Sequence, residues 1–282
     1  MLTFDDAIRE STARLLDAGS DTAALDASLL LMHATGRDRL YLYTHPKTQL
    51  DRKEYAQLEG LMQRREKGEP IAYILGEKEF WGHTFKVTKG VLIPRPDSET
   101  MIATLLALIE DKSATAKVAE LGVGSGALII SILKEFPNFT GFAVDIEPTP
   151  IAMTRENAGA LGVADRLEVM QGNWADPLPA GLNIIVSNPP YIRKAEIQNL
   201  MRDVRNYEPV SALDGGDDGL DCYRSLIPAA YDKLISGGLL MLEIGYDQKR
   251  DVEALLEKEK WQSVHVFQDL GGRDRVVAAV KA

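Results

Sequence analysis

The chain has 282 residues, 45% of them hydrophobic, and a formal net charge of −10, with an isoelectric point near 5.0. That length allows roughly two domains of ~100–200 residues each, and the acidic balance weighs against a nucleic-acid substrate. Cys222 is the only cysteine, which excludes an intrachain disulfide and a thiolate metal cluster.

The chain opens Met1-Leu-Thr-Phe-Asp-Asp, which is acidic and has no apolar run after basic residues, unlike a signal peptide. No segment offers the ~18 apolar residues of a membrane span. A cytoplasmic protein is the expectation. Residues 1–75 read as helical. Thr3 and Asp6 offer N-cap chemistry, 24–32 is a strong helix stopped by Gly36, and 52–67 is a helix ended by Gly68 and Pro70. From 71 to 91 the pattern changes to Phe80, Trp81, Phe85 and Val87 among Gly76, Gly82 and Gly90, which predicts a hairpin. Val91-Leu-Ile-Pro94-Arg95-Pro96-Asp97-Ser98-Glu99 is a rigid connector that caps a helix over 98–110. An Arg95–Glu99 salt bridge within the connector is as plausible as ligand contact. The domain boundary falls here: 1–75 a helical domain, 76–97 hairpin and connector, 98–282 a second domain.

Beyond Ser113 strands and helices alternate. Strands are predicted at 118–121, 140–144, 167–171, 182–187 and 239–244, and helices at 127–135, 149–161 and 248–258. Closing strands at 263–268 and 275–280 have no helix between them. The fold class is therefore α/β: a Rossmann-like, doubly wound, mostly parallel sheet with an antiparallel edge hairpin, plus the N-terminal helical bundle.

The first βα turn is Glu120-Leu-Gly122-Val123-Gly124-Ser125-Gly126-Ala127. Its glycines permit a tight turn and a close ligand approach, and the next helix supplies free N–H groups. Asp145 ends the second strand, where a carboxylate accepts both hydroxyls of a ribose. This marks an adenosine-type ligand without separating a nicotinamide cofactor from S-adenosylmethionine. Trp174 follows the third strand; it either covers an adenine face or packs. The fourth strand, Asn183-Ile-Ile-Val-Ser-Asn188-Pro189-Pro190-Tyr191, stops abruptly. Proline fixes φ, lacks a donor and pushes Asn188 towards extended geometry. The result is a stiff edge that presents an amide, bare carbonyls and an aromatic face, suited to a planar amide or amine. All these features fall at the carboxyl edge of the sheet, where open α/β folds bind ligands. His33, His45, His83 and His265 are scattered without metal-ligand spacing, so no metal is expected. The acidic, Gly-rich stretch 207–220 reads as a solvated surface loop.

The Glu-x-Gly-x-Gly-x-Gly turn, the acidic strand end and Asn-Pro-Pro-Tyr resemble class I S-adenosylmethionine-dependent methyltransferases acting on a planar nitrogen. Further stretches resemble one family, the release factor glutamine methyltransferases known as PrmC or HemK. They are Pro70-Ile-Ala-Tyr-Ile-Leu-Gly76, Glu79-Phe80-Trp81-Gly82, the connector Leu92–Glu99, Tyr207-Glu208-Pro209, Leu213–Leu220 and Asp269–Val276. The resemblance covers nearly the whole chain and is thinnest before residue 65. It implies methylation of the side-chain N5 of the glutamine in the Gly-Gly-Gln motif of class 1 peptide-chain release factors. It further implies that Gly122, Val123, Gly124, Ser125, Gly126, Asp145 and Trp174 hold S-adenosylmethionine, with S-adenosylhomocysteine as product. Asn188, Pro189, Pro190 and Tyr191 hold the substrate glutamine; Asn188 also borders the cofactor, and Asn188, Pro189 and Tyr191 carry catalysis. Residues 1–75 contact the release factor, and a monomer without metal, membrane or direct nucleic-acid contact is expected. The family usually has an acidic residue before the tryptophan, and here it is Asn173. The competing reading of Asn-Pro-Pro-Tyr is an adenine-N6 methyltransferase acting on DNA or RNA, which requires a basic groove.

Overall fold

The structure is a computed structural model that describes residues 2–257 and 260–282. It resolves into two compact units, residues up to Gly76 with Met201–Tyr207, and Glu77–Leu200 with Glu208–Ala282.

In the first unit α1 (Phe4–Asp17) opens at Thr3, whose hydroxyl accepts from the Asp6 N–H. Helix α2 (Ala23–Thr35) ends at Gly36 in the left-handed conformation. It is followed by α3 (Arg39–Thr44) and by α4 (Arg52–Glu66), which starts with a reciprocal Asp51–Glu54 capping box. Residues 71–75, covered both by the helical reading of 1–75 and by the hairpin reading of 71–91, form a short helix, α5 (Ile71–Leu75). Pro70 presets its entry and Gly76, left-handed, ends it. Phe4, Leu15, Leu30, Leu31 and Met62 fill this core. Below it, Asp26 is buried and accepts from Ser20 Oγ (2.9 Å), Thr22 Oγ1 (3.0 Å) and Arg65 Nε (2.7 Å).

In the second unit β1 (Glu77–Phe80) and β2 (His83–Lys86) pair antiparallel. Both residues of their turn, Trp81 and Gly82, have positive φ, the pairing that matches strand twist in two-residue hairpins. The elements that follow are α6 (Glu99–Leu108), β3 (Lys117–Leu121), α7 (Ala127–Glu135), β4 (Thr140–Asp145), α8 (Pro148–Ala160), β5 (Leu167–Gln171) and β6 (Leu182–Ser187). Helix α9 (Arg202–Tyr207) returns to the first unit. Its Arg202 Nη2 and Tyr207 hydroxyl both donate to the Lys67 carbonyl, at 2.9 and 3.1 Å. Such a return is invisible to local periodicity. Then come α10 (Asp221–Lys233), β7 (Leu234–Glu243), α11 (Lys249–Leu255), β8 (Trp261–Gln268) and β9 (Asp274–Lys281). Helix α10 was not predicted, because Pro228 lies inside it. For the predicted helix 248–258, Lys258 lies outside the described residues.

The seven-stranded sheet has the order β5-β4-β3-β6-β7-β9-β8. It is parallel except for β9, which runs antiparallel to both β7 and β8, and so matches the expected mostly parallel sheet with an edge hairpin. One face packs under α6, α7 and the hairpin's Phe80 and Phe85, the other under α10 and α11. Period-two alternation assigns Met241 to the first face and Leu240 and Leu242 to the second. No helix among the described residues is long and apolar enough to cross a membrane.

Removing Asp26 leaves the Arg65 charge, whose side chain is only 10% exposed, without its carboxylate; the neutral Glu69 carbonyl and Ser20 hydroxyl still accept from it. Asp26→Ala is expected to destabilise the first unit by about 3–5 kcal/mol. Urea unfolding followed by amide exchange in α1, α2 and α4 checks this.

Candidate active site

The glycine turn sits at the carboxyl end of β3. The N–H groups of Gly122 and Val123 both donate to the Val144 carbonyl, at 2.9 and 3.0 Å, and fold the turn back onto β4. Gly122, Gly124 and Gly126 alternate in positive φ (73°, 57° and 80°), a path that side chains with a Cβ resist. Glu120, 3% exposed, accepts from the Ile129 N–H at 2.9 Å, in the first turn of α7. Burial pushes its pKa well above the usual carboxylate range, aided by the nearby Asp145 charge. Asp145 accepts from Gly124 N–H and Glu147 N–H, each at 3.1 Å. Burial raises its pKa too, and these backbone donors oppose that rise. Trp174 has φ 43°. Its ring edge lies 3.9 Å from where a Cβ on Gly122 would stand, so the indole lies over the turn.

The strand β6 lies beside β3 in register, with Leu121 opposite Ser187. Ser187 Oγ donates to the Leu121 carbonyl at 2.7 Å. The next residue, Asn188, donates through Nδ2 to Ser98 Oγ at 3.0 Å. Tyr191 donates its hydroxyl to Glu243 Oε1 at 3.1 Å. Burial, then the Glu243 charge, push the phenol pKa upward.

Residues 207–220 are not the solvated loop expected from their acidity. Glu208, Leu213 and Leu220 are buried. The segment runs against the Asn188–Tyr191 edge: Ile192 N–H donates to Leu213 O (3.0 Å) and Gly215 N–H to Ile192 O (2.9 Å). Gln248, also buried, donates to the carbonyls of Tyr191 (3.0 Å) and Gly219 (3.2 Å). The connector differs as well. Arg95 pairs with Glu208, not Glu99, and Glu208 also accepts from Ile93 N–H at 3.2 Å. Glu99 instead accepts from Trp81 N–H at 2.8 Å. The composition of 207–220 suggested solvent because its buried carboxylate has a partner distant in sequence.

Together these elements wall a cavity of about 250 Å³. Gly122, Val123, Gly124 and Ser125 line one side, with Asp145, Asn173 and Trp174 beyond them and Asn188 and Pro190 at the other end. Gly126, Pro189 and Tyr191 do not line it. Gly126 caps α7, where a Cβ would stand 2.8 Å from Ile130 Cδ1, and the Tyr191 ring packs into the core beneath the edge. Ser98, Glu120 and Glu147 also line the cavity and carry no role in the sequence reading. The carboxylate of the Glu-x-Gly turn and the serine of the connector were the available signals. Cys222 is on the wall too, its thiol pushed up to about 11 by burial. Arg95 is the one Lys or Arg among the lining residues, and it is paired with Glu208. The site is therefore a mostly apolar cleft with carboxylates at one end and an anchored amide at the other.

Residues 6–76 match the family model described as PrmC N-terminal domain, and 95–206 the methyltransferase small domain. A release factor glutamine methyltransferase of Cereibacter sphaeroides is 42% identical over 274 residues, 97% of each chain. The chain belongs to the release factor glutamine methyltransferase family. A member from Vibrio cholerae is 39% identical over 98% of this chain and 96% of its own. Among solved structures, a methyltransferase from Pyrococcus furiosus aligns with TM-score 0.53 at 17% identity, covering 73% of this chain and 92% of that one. A ribosomal protein L11 methylase from Lactobacillus delbrueckii gives 0.50 at 19%, covering 69% and 83%. Both share the fold. For this family member, the contact that fixes the Asn-Pro-Pro-Tyr edge from behind is Gly215, where a Cβ would stand 2.8 Å from Tyr191 Cα. Gly215→Ala is expected to cost about 1–3 kcal/mol by overpacking, read as a lower urea midpoint.

Proposed function

We propose that this chain transfers a methyl group from S-adenosylmethionine to the side-chain N5 of the glutamine in the Gly-Gly-Gln motif of class 1 peptide-chain release factors. The observation that carries the reading is the Asn188 amide. Its Nδ2 is engaged by Ser98 on the cavity wall, which leaves Oδ1 to accept from a substrate. The relatives' names favour this acceptor over an adenine.

The residues suit S-adenosylmethionine. A Cβ at Gly124 would meet no atom within 4 Å, so the turn leaves room for a ligand. Asp145 is oriented by two backbone donors and fits a ribose diol, and Trp174 fits an adenine face, with Asn173 beside it. The lining carboxylates favour a cationic sulfonium over a pyrophosphate. When bound, S-adenosylmethionine supplies a methyl group already activated on sulfur, so no metal is required.

A glutamine amide nitrogen is a weak nucleophile because its lone pair is delocalised into the carbonyl. The task of the protein is orientation, which supplies roughly 7–11 kcal/mol of barrier reduction when well arranged. Asn188 Oδ1 accepts one N–H bond of the substrate amide and favours charge growth on nitrogen; the Pro189 carbonyl, outside the cavity lining, is assigned the second. Pro190 stiffens the edge. Tyr191, a neutral phenol whose hydroxyl donates to Glu243, holds the edge down and does not act as a base. The methylated nitrogen is acidic and releases its proton to solvent water, so no protein base is needed. Residues 1–75 dock the release factor, and the enzyme works as a cytoplasmic monomer without direct nucleic-acid contact.

Incubation with a class 1 release factor is expected to add one methyl to the Gly-Gly-Gln glutamine, detected by mass spectrometry of the digested factor. An unmodified glutamine sinks the reading. Asn188→Ala is expected to lose on the order of 100-fold in turnover, the scale set by misplaced reacting groups, and to keep its S-adenosylmethionine affinity in calorimetry. Asp145→Ala is expected to lose that affinity; unchanged binding removes the ribose assignment.

A further inference from the structure

The orientation of the Asn188 amide decides whether the cavity is offered an acceptor or a donor. Turned one way, Oδ1 faces a substrate N–H. Turned the other, the amide offers its own N–H groups and repels it. The Ser98 hydroxyl meets that amide at 3.0 Å, and it accepts or donates with equal ease. Something beyond Ser98 must settle its direction.

Ser98 is an unusual helix cap. It occupies the N-cap of α6 yet makes no side-chain cap bond, although serine is favoured there for that bond. Its oxygen serves Asn188, and its single proton is left for another acceptor. Glu243, at the end of β7, is 1% exposed, and its Oε2 has no hydrogen-bond partner. Oε1 is taken by the Tyr191 hydroxyl at 3.1 Å. The Ser98 hydroxyl is a hydrogen-bonding neighbour of this carboxyl, and Oε2 is the oxygen left without a partner.

Residue 243 has a cation close by, which opposes the effect of its burial. Burial pushes the Glu243 pKa up, and Ser98, the Arg275 charge and Tyr191 act against that rise, with Asp97 adding a smaller upward push. Arg275 is itself held at 3.2 Å by both Asp97 and Asp269, and its Nη1 donates to the Ile244 carbonyl. The guanidinium is thereby fixed next to the strand end that carries Glu243. Tyr223 donates to the Glu243 backbone carbonyl at 2.8 Å and steadies the same residue. An ionised carboxylate accepts only. A serine facing it donates inward and can only accept from Asn188.

We propose that Glu243 is a positioning residue, the terminal acceptor of an Asn188 Nδ2 to Ser98 Oγ to Glu243 Oε2 relay that locks Asn188 Oδ1 towards the substrate amide. Through Tyr191 the same carboxylate pins both ends of the Asn-Pro-Pro-Tyr edge. Glu243 does not touch substrate. The role rests on the methyl-acceptor reading of Asn188 given above.

The test uses Glu243→Gln, Ser98→Ala and the double variant. Glutamine keeps the shape of residue 243 but adds a donor, which reverses Ser98 and releases or inverts the amide. Each single variant is expected to lose on the order of 100-fold in kcat, as a misaligned reacting amide does, with KM for the release factor and S-adenosylmethionine affinity unchanged. The double variant is expected to fall no further than about the Ser98→Ala level, since members of one network do not add. Losses that multiply, or a Glu243→Gln variant with kcat within about threefold of wild type, overturn the relay. If Glu243→Gln fails to fold, Ser98→Ala carries the same readouts. A second measurement needs no substrate: the Asn188 side-chain NH₂ resonances, assigned by their loss in Asn188→Ala, are expected to shift in both single variants. Unmoved resonances overturn the proposal. A wild-type enzyme that methylates no glutamine overturns the functional reading instead, and the relay then stands or falls on the resonances.

Discussion

The parallel pairing of β3 with β6 is the constraint on which the site depends. Leu121 and Ser187 are register partners, and Ser187 Oγ closes on the Leu121 carbonyl at 2.7 Å. The residues immediately beyond are Gly122 on one strand and Asn188 on the other. A slip of one residue would turn every side chain on the strand to the opposite face and separate the glycine turn from the amide edge. The in-register parallel ladder and the Ser187–Leu121 contact hold that register.

Charge is distributed to match. Glu120 and Asp145 are both raised in pKa by burial, a cost that a neutral or anionic ligand would not relieve. Their backbone donors, Ile129 N–H for the first and Gly124 and Glu147 N–H for the second, hold the carboxyls in place without bringing in a competing cation. Arg95, the cation on the wall, is neutralised by Glu208. A cleft of this kind is suited to a compact positive charge close to an apolar surface.

The edge itself is held from beneath. Proline leaves Asn188–Tyr191 without half of the backbone donors that would tie a strand end into a ladder. Side chains from elsewhere take over: Ser98 on Asn188, Glu243 on Tyr191, and Gln248 on the Tyr191 carbonyl. The segment 207–220 closes against the same backbone through Leu213 and Gly215. Rigidity here comes from buried polar contacts, whose cost of breaking is high because unpaired partners remain.

Much of this was legible in the chain. Glycines at alternate positions, an acidic strand end and a Pro-Pro stop are local signals, because backbone conformation at Gly and Pro is dictated by the residue itself. The alternation of strands and helices is also local, and it led to the doubly wound sheet and to a common edge for Gly122, Asp145, Trp174 and Asn188. Helix α10 escaped because Pro228 contradicts helix propensity, and tertiary packing of Tyr223, Leu226 and Ile227 overrides it. The burial of Glu208, the return of α9 to the helical unit and the convergence of Ser98, Glu243 and Arg275 behind Asn188 were decided by the tertiary structure alone. Each joins groups far apart along the chain, and no periodicity or spacing encodes which distant carboxylate a buried donor will meet. The sequence by itself determined which chemistry the sheet edge presents; the fold decided what holds that edge in its working orientation, because hydrogen bonds between distant side chains exist only once the strands are paired.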